Sequence, residues 1–395
     1  MPRMNAVVAV VSLFVLLHGA QGFAAKDRFN RGCSPHDIAR LGGVFPPRKT
    51  DHLQPVAETK VFPADPKADL PAFLARKEFI VETYNVANLF SSVGSFKPDP
   101  KTGKRLQVKD ADIKSEKARK GVAKTILTTN PDIAVLQEVE LRAGEEFCAQ
   151  ELGGQYTALE IRGNDGRGID VVVIVKKGLP IEVTYKSHKN EPLEDDLYPD
   201  MERVFSRDVT ASELRIKGTD KPFLVLLGGH GKSKRTETEE DPQSTHLREQ
   251  QGDRWADIAQ MYMDKYGAPV ISGADYNDSP HTARAYQGFR DMGFKDAFDV
   301  TKGAKIPLGD KRRVTHTYHP RGGDTEYSQL DALLVSPDAQ DLVLDVKVQP
   351  YYDSNGREMP VPDTFEQRAK QPSDHRAVVM KLDLQALLKR AGIIK

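Results

Sequence analysis

An α/β fold is what this chain predicts, on three observations. From residue 78 onward, apolar strand-like runs alternate with helical patterns. The 395 residues, 39% hydrophobic and 29% charged, are enough for a sizeable core and have the balance of an ordinary water-soluble globular protein. No internal repeat or long low-complexity stretch breaks the alternation.

The elements follow in order. The first residues, "MPRMNAVVAVVSLFVLLHGAQGFAAK", carry Arg3, an apolar stretch from Ala6 to Leu17 and then small residues. That is the pattern of a secretory signal peptide over 1–24, cleaved between Ala20 and Ala25. The apolar run is shorter than the roughly 20 residues a membrane span needs, so an exported chain without a stable membrane anchor is expected. Residues 25–77 are rich in Pro and Gly and lack periodicity, which predicts an extended arm on the domain surface.

"EFIVETYNVANLF" begins as a strand rich in β-branched and aromatic residues. "KARKGVAKTILTTNPD" puts Ala118, Val122, Ile126 and Leu127 on one helical face, ended by Asn130-Pro131. "IAVLQEVE" is a short apolar run ending in acid, and "GIDVVVIVKKGLPIEV" reads as two strands around the turn at Gly178–Pro180. "FLVLLGGHGKSK" is a buried strand opening into a glycine-loosened loop. In "HLREQQGDRWADIAQMYMDKY", Leu247, Gln251, Trp255, Ile258, Tyr262 and Tyr266 fit a helix with one packed face, and Trp255 is assigned to the core. "PVISGADYND", "LDALLVSP", "LVLDVKVQP" and "SDHRAVVMKLDL" complete the series.

Lys+Arg and Asp+Glu both total 57. Zero formal charge excludes reliance on one large, uniformly basic surface. A local patch remains: Lys97 to Lys124 holds ten Lys/Arg against four acids, while Glu191 to Glu202 holds six acids and no base. Cys33 and Cys148 are the only cysteines, too few for a zinc site, and a disulfide between them is left open.

The chemistry lies in where polar residues fall. Asn85, Glu138, His230, Asp275, Asn277, Asp331, Asp374 and His375 each sit within or just beyond an apolar run. Strand-end loops are where α/β folds place ligands, because the sheet fixes each side chain while the loop stays open. Carboxylates with an amide oxygen and no thiolate suit a hard cation, Mg²⁺ first, with Mn²⁺ or Ca²⁺ as alternatives. Histidines beside carboxylates suit proton transfer. Together they match metal-assisted attack of water on a phosphate ester.

The motifs "TYNVANLF", "PDIAVLQEVE", "GIDVVVIV", "GGHGKSK", "GADYND", "LDALLVS" and "SDHRAVV", in that order, resemble the endonuclease/exonuclease/phosphatase superfamily, also called deoxyribonuclease I-like. The resemblance spans Glu78 to Leu384, and so implies one domain over 78–384 and a tail over 385–395. It implies a four-layer α/β sandwich, two facing mixed sheets flanked by helices. It further implies that Asn85 and Glu138 bind the metal with Asp374 at or near it. His230 would contact the scissile phosphate or act as general acid. Asp275 and Asn277 would position water and phosphate, or a second metal, and Asp331 would orient His375, the other acid/base. Arg207, whose fork matches phosphate oxygens, and Lys232 are the expected substrate contacts.

The expected activity is that of a secreted phosphodiesterase, foremost an endonuclease on DNA or RNA. Phosphomonoesterase, inositol-phosphate phosphatase and sphingomyelinase are the alternatives, and a non-catalytic binding protein a further one. Three departures from the family pattern stand out: Ala274 in place of Gly before Asp275, Gly228 in place of Asn, and Ala332 after Asp331. Asp170, His316, His319 and Asn88 carry less weight as site residues, and Asp278, Ser279 and Pro280 read as a turn.

Overall fold

The computed structural model describes residues 48–90, 114–320 and 323–395, and the backbone of two short strands at 96–98 and 105–107. The segment 1–24 expected to be a signal peptide, Cys33 and much of the basic Lys97–Lys124 stretch lie outside the described residues. Of that stretch, Lys114 to Lys124 is described.

In chain order the first elements are β1 (Glu58–Phe62), α1 (Leu70–Leu74), β2 (Glu78–Leu89), β3 (Phe96–Pro98) and β4 (Arg105–Gln107). Next come α2 (Glu116–Thr129), β5 (Ile133–Val139), α3 (Leu141–Gln150), β6 (Tyr156–Leu159), β7 (Asp170–Lys176) and β8 (Ile181–Ser187). The second half holds β9 (Val209–Ile216), β10 (Leu224–His230), α4 (Thr245–Tyr266), β11 (Val270–Asp275) and α5 (Gln287–Asp291). It continues with β12 (Lys295–Asp296), α6 (Ala297–Val300), β13 (His316–Tyr318), β14 (Glu326–Ser328) and β15 (Asp331–Val335). The last elements are β16 (Val343–Val348), α7 (Phe365–Arg368), β17 (Val378–Asp383) and α8 (Leu384–Arg390).

Two mixed sheets form the centre. One has the order β1-β8-β9-β10-β11-β15-β12 and the other β16-β17-β2-β5-β7-β6. Within them β10–β11 and β2–β5 are parallel and the remaining pairs antiparallel. Parallel neighbours need a crossover, and the helices α4 and α2 supply it. The inner faces meet in one apolar cluster, with Val81, Val135 and Val173 from one sheet against Leu226, Ile271 and Leu333 from the other. Outside the first sheet, Trp255, Ile258 and Tyr262 of α4 pack on Val225, Leu227 and Ala274. Outside the second, Val122, Ile126 and Phe147 cover Ala134, Leu136 and Val172. This is the four-layer sandwich.

α2 starts because Ser115 caps Ala118 N, and it ends at Asn130, whose φ of 50° is left-handed, just before Pro131. Its buried face differs from expectation: Val122 and Ile126 are buried, but Leu127 is 38% exposed. Arg119 takes part of the inner face instead, bonded to the Phe90 carbonyl, Glu151 and Glu146. Trp255 is core, stacked on Tyr276 with ring centroids 5.2 Å apart.

Two boundary expectations are corrected. The arm is not without elements, since β1 pairs antiparallel with β8 as an edge strand and α1 packs Phe73 into the core. The stretch at 385–395 is no loose tail. α8 buries Leu384, Leu387 and Leu388, and Gln385 donates to the carbonyls of Leu74 and Arg76. Cys148 is a buried free thiol, and burial pushes its pKa up to about 12.

Candidate active site

Three strand ends lie in one row. His230 pairs with Asp275 across β10 and β11, and Asp275 pairs with Asp331 across β11 and β15. Cross-strand neighbours share a face, so these three side chains converge. All three are buried, at 6%, 1% and 0% exposure. Asn85, Glu138 and the loop bearing Asp374 and His375 approach from the other sheet.

Bulges aim the residues of that sheet. The β5–β7 register shifts between Gln137 and Val139, leaving Glu138 as the extra residue at φ 65°. A left-handed glutamate is strained, by about 1 kcal/mol or more, and bulges of this kind re-aim a side chain. β2 is irregular between Asn85 and Leu89, with Ala87 and Asn88 at φ 53°. That turn sends Asn88 N to Glu138 Oε2 at 3.0 Å and Ala87 N to Asn85 Oδ1 at 3.0 Å. Asn88 is therefore more than a turn former, because its backbone holds the glutamate.

Asp275 is the hub. Its Oδ2 accepts from Asn85 Nδ2 at 2.9 Å and lies 3.4 Å from His230 Nε2 and 3.7 Å from His375 Nε2. Its Oδ1 accepts from the backbone of Asn277 at 2.8 Å. Asn277 itself, at φ 52°, donates from its amide to the Gly231 carbonyl at 3.0 Å. Burial alone would raise the Asp275 carboxyl, but the imidazoles of His375 and His230 outweigh it and hold it far below the usual range.

His375 is fixed on its other edge by Asp331, with Nδ1 2.7 Å from Oδ2. Burial disfavours its charged form, yet Asp331 and Asp275 carry its pKa well above the ordinary imidazole value. Burial lifts Asp331 to about 6 against the pull of His375. His230 goes the other way. Burial, and then the charge of Arg207, lower it despite Asp275. The two imidazoles are thus pushed in opposite directions around the same carboxylate oxygen.

Asp374 accepts from Arg368 Nη2 at 2.6 Å. Burial would raise it, but His375 and Arg368 bring it down to about 2. Ser373, buried, donates to the Asn85 carbonyl at 2.8 Å and accepts from the His375 backbone at 3.1 Å, latching the loop to β2.

Each sequence-derived site residue has a definite place here. Asn85, Glu138, His230, Asp275, Asn277, Asp331 and His375 are linked through the contacts above, and Asp374 adjoins His375 in the chain. The Asn85 side chain meets Glu138 Oε1 with its nitrogen at 3.4 Å, while its oxygen is taken by Ala87 N. As placed, the Asn85 amide nitrogen spans the carboxylates of Asp275 and Glu138. Lys232 lines the same cleft as Arg207, its ammonium held by the Ser233 and Arg235 carbonyls and by Glu237 at 2.9 Å. Arg207 is pinned by the Gly231 carbonyl at 2.9 Å and by Asp165 at 3.3 Å, and it lines a cleft of about 1180 Å³ with Arg167, Arg203 and Arg235.

Two of the sequence departures have structural reasons. A side chain at Gly228 would begin 2.9 Å from Val135 of the facing sheet, so no asparagine fits. Ala274 is fully buried in regular register with Gly229 and Ala332, and the strand path to Asp275 is undisturbed. Asp278 is structural, held by Arg248 and Lys234. Asp170 accepts from Gly163 N and is a buried structural acid. His319 bonds Thr325.

Sequence reasoning undervalued His316 and missed Lys114. The His316 ring lies 4.7 Å from that of His375, and its backbone bridges His375. Lys114 donates to the Pro372 carbonyl at 2.6 Å, and burial lowers its pKa to about 8 against the charges of Asp374 and Glu138. Neither has a sequence signal, because a three-residue strand and a helix-preceding loop show no periodicity.

Oxygen donors from Glu138 and Asp374, with no thiolate near, fit a hard divalent cation. Among the described residues, the most compact donor groups are Asp275–Asp331–His375 and His316–Asp374–His375. Glu138 belongs to neither.

No family model matches this chain, and no curated protein does. Solved structures do. An endonuclease/exonuclease/phosphatase family protein from Bacteroides thetaiotaomicron is 16% identical at TM-score 0.48, covering 77% of this chain and 94% of that one. The Bacteroides vulgatus counterpart is 16% identical at TM-score 0.49, covering 78% and 100%. Truncated TDP2 from Caenorhabditis elegans is 19% identical at TM-score 0.45, covering 78% and 98%.

Proposed function

We propose that this chain is a divalent-metal-dependent phosphoric ester hydrolase acting on phosphodiesters, with nucleic acid as substrate. The observation that carries the reading is the convergence of two histidines on Asp275 Oδ2, His230 Nε2 at 3.4 Å and His375 Nε2 at 3.7 Å. Paired titratable groups pushed apart by their surroundings mark acid and base roles. His375, oriented by Asp331, donates a proton to the leaving oxygen as its P–O bond breaks. His230, buried beside Arg207, takes the proton of the attacking water as that water bonds to phosphorus. Asp275 and the Asn277 amide fix that water, and Asn85 holds Asp275 and Glu138 in place. Glu138 and Asp374 would hold Mg²⁺, Mn²⁺ or Ca²⁺, which when bound neutralises phosphate charge.

Arg167, Arg203, Arg207 and Arg235 line one cleft, Arg207 also reaches the carbonyl of Gly231, the residue after His230, and guanidinium groups suit a phosphate backbone. Export rests on the apolar stretch Ala6–Leu17 after Arg3. The test is a panel of plasmid DNA, RNA, inositol phosphates and sphingomyelin with Mg²⁺. Cleavage of nucleic acid is expected; turnover confined to phosphomonoesters or lipids would overturn the substrate assignment.

A further inference from the structure

We infer that His316, Asp374 and His375 form a second cation site, selective for a borderline transition metal such as Zn²⁺, whose occupation switches the enzyme off. The switch rests on the hydrolase reading above; the site itself does not.

One ligand atom from each of the three residues can be chosen so that all lie within 4.8 Å of one another. The two imidazoles are not brought together by chance rotamers. Their backbones form a bridge, and their rings sit 4.7 Å apart at 42°. The δ nitrogen of each ring is occupied, His375 Nδ1 by Asp331 at 2.7 Å and His316 Nδ1 by Ser328 Oγ at 3.4 Å. The ε nitrogens are the atoms left to a cation, that of His375 having only a 3.7 Å contact to Asp275 Oδ2. A carboxylate on the far nitrogen is the arrangement that orients metal-binding histidines and raises their basicity. Asp374 supplies the oxygen; Arg368 holds its Oδ2 at 2.6 Å, leaving Oδ1 with only a 3.5 Å contact to Ser373 Oγ.

Two imidazoles and one carboxylate are a poor match for Mg²⁺ or Ca²⁺ and a good one for Zn²⁺. The consequence follows from shared residues. A metal on His375 Nε2 removes the nitrogen that moves the proton, and a metal on Asp374 removes an oxygen from the hard-cation site. His316, which the hydrolytic scheme does not use, is what converts this corner from proton transfer to metal capture.

The experiment is calorimetric titration of ZnCl₂ into the full chain with Mg²⁺ in large excess, for wild type, His316→Ala and His316→Gln. Circular dichroism checks each fold. One Zn²⁺ per chain that Mg²⁺ does not displace is expected, weakened at least about 10-fold in both variants, since even outer partners of a ligand are worth that much. Unchanged affinity in a folded variant, or no Zn²⁺ bound by wild type, overturns the site. In parallel, Zn²⁺ inhibition of Mg²⁺-driven hydrolysis is read against each protein's own uninhibited rate. Inhibition should need at least about 10-fold more Zn²⁺ in the variants; equal sensitivity overturns the switch. A chain with no hydrolase activity would sink the function proposed above, while calorimetry still decides the site.

Discussion

Asp331→Asn exchanges one oxygen for an amide and tests how His375 is made to work. In the fold, Asp331 Oδ2 lies 2.7 Å from His375 Nδ1, and both residues are buried. Asp331 is the largest influence raising the His375 pKa, ahead of Asp275 at 3.7 Å. Without it the imidazole loses its main reason to be charged and its fixed tautomer. Leaving a buried charge unpaired costs about 3–5 kcal/mol, so the ring sheds its proton instead. Loss of an orienting carboxylate beside a catalytic histidine reaches about 10⁴ in rate through the wrong tautomer. Asp275 and Asp374 still surround the ring, so the expected fall in kcat is about 10² to 10⁴, with KM little changed. Rates on bis-p-nitrophenyl phosphate with Mg²⁺ are followed from about pH 5 to 9, the range a shifted histidine spans. The histidine resonances are titrated alongside. The alkaline limb should move to lower pH with the His375 pKa, and Asp331→Glu should restore part of both. A folded Asp331→Asn enzyme within about threefold of wild type, or one with an unmoved profile, refutes the argument.

Other expectations concern the scaffold. A methyl at Gly229 would begin 2.1 Å from the Trp255 ring, so Gly229→Ala should destabilise the fold by about 1–3 kcal/mol, read in urea by the single tryptophan's own fluorescence. His188 is buried against Tyr262, and burial lowers its pKa to about 4. Its folded pKa lies below the unfolded one, so the stability it contributes is full above about pH 6.5 and is lost as pH falls through about 4. Up to about 3 kcal/mol of the acid loss should vanish in His188→Gln, seen by comparing urea midpoints at neutral and acid pH. Cys148, with a thiol pKa near 12, should resist iodoacetamide in the native protein and react once unfolded, as peptide mass spectrometry would show.

The strands that carry the site were legible because each is an apolar run closed by a polar residue, as in Leu224–His230 and Val270–Asp275. What alternation does not contain is which strands become neighbours. The row His230–Asp275–Asp331 exists only because α4 returns the chain to place β11 beside β10, with β15 next to it. Short or exposed elements were lost for a different reason. β1 is half-buried at its ends and exposed between, and α8 is only 7 residues long, so neither shows a period against its polar flanks. For Lys232 the sequence shows a charge but neither the acceptors folded around it nor the cleft it shares with Arg207. His316 was undervalued for the mirror reason, since its partner His375 is 59 residues away and reaches it through a single bridge.

The central claim is that Glu138, turned inward on a strained bulge, works with a divalent cation and with His375 on a phosphate ester. It is tested most directly by hydrolysis of bis-p-nitrophenyl phosphate by the full chain before and after EDTA, beside Glu138→Gln. Activity that chelation abolishes, that Mg²⁺ or Mn²⁺ restores, and that Glu138→Gln lowers by at least about 10²-fold is the predicted result. Turnover that survives thorough chelation, or a folded Glu138→Gln protein at the wild-type rate, would contradict it.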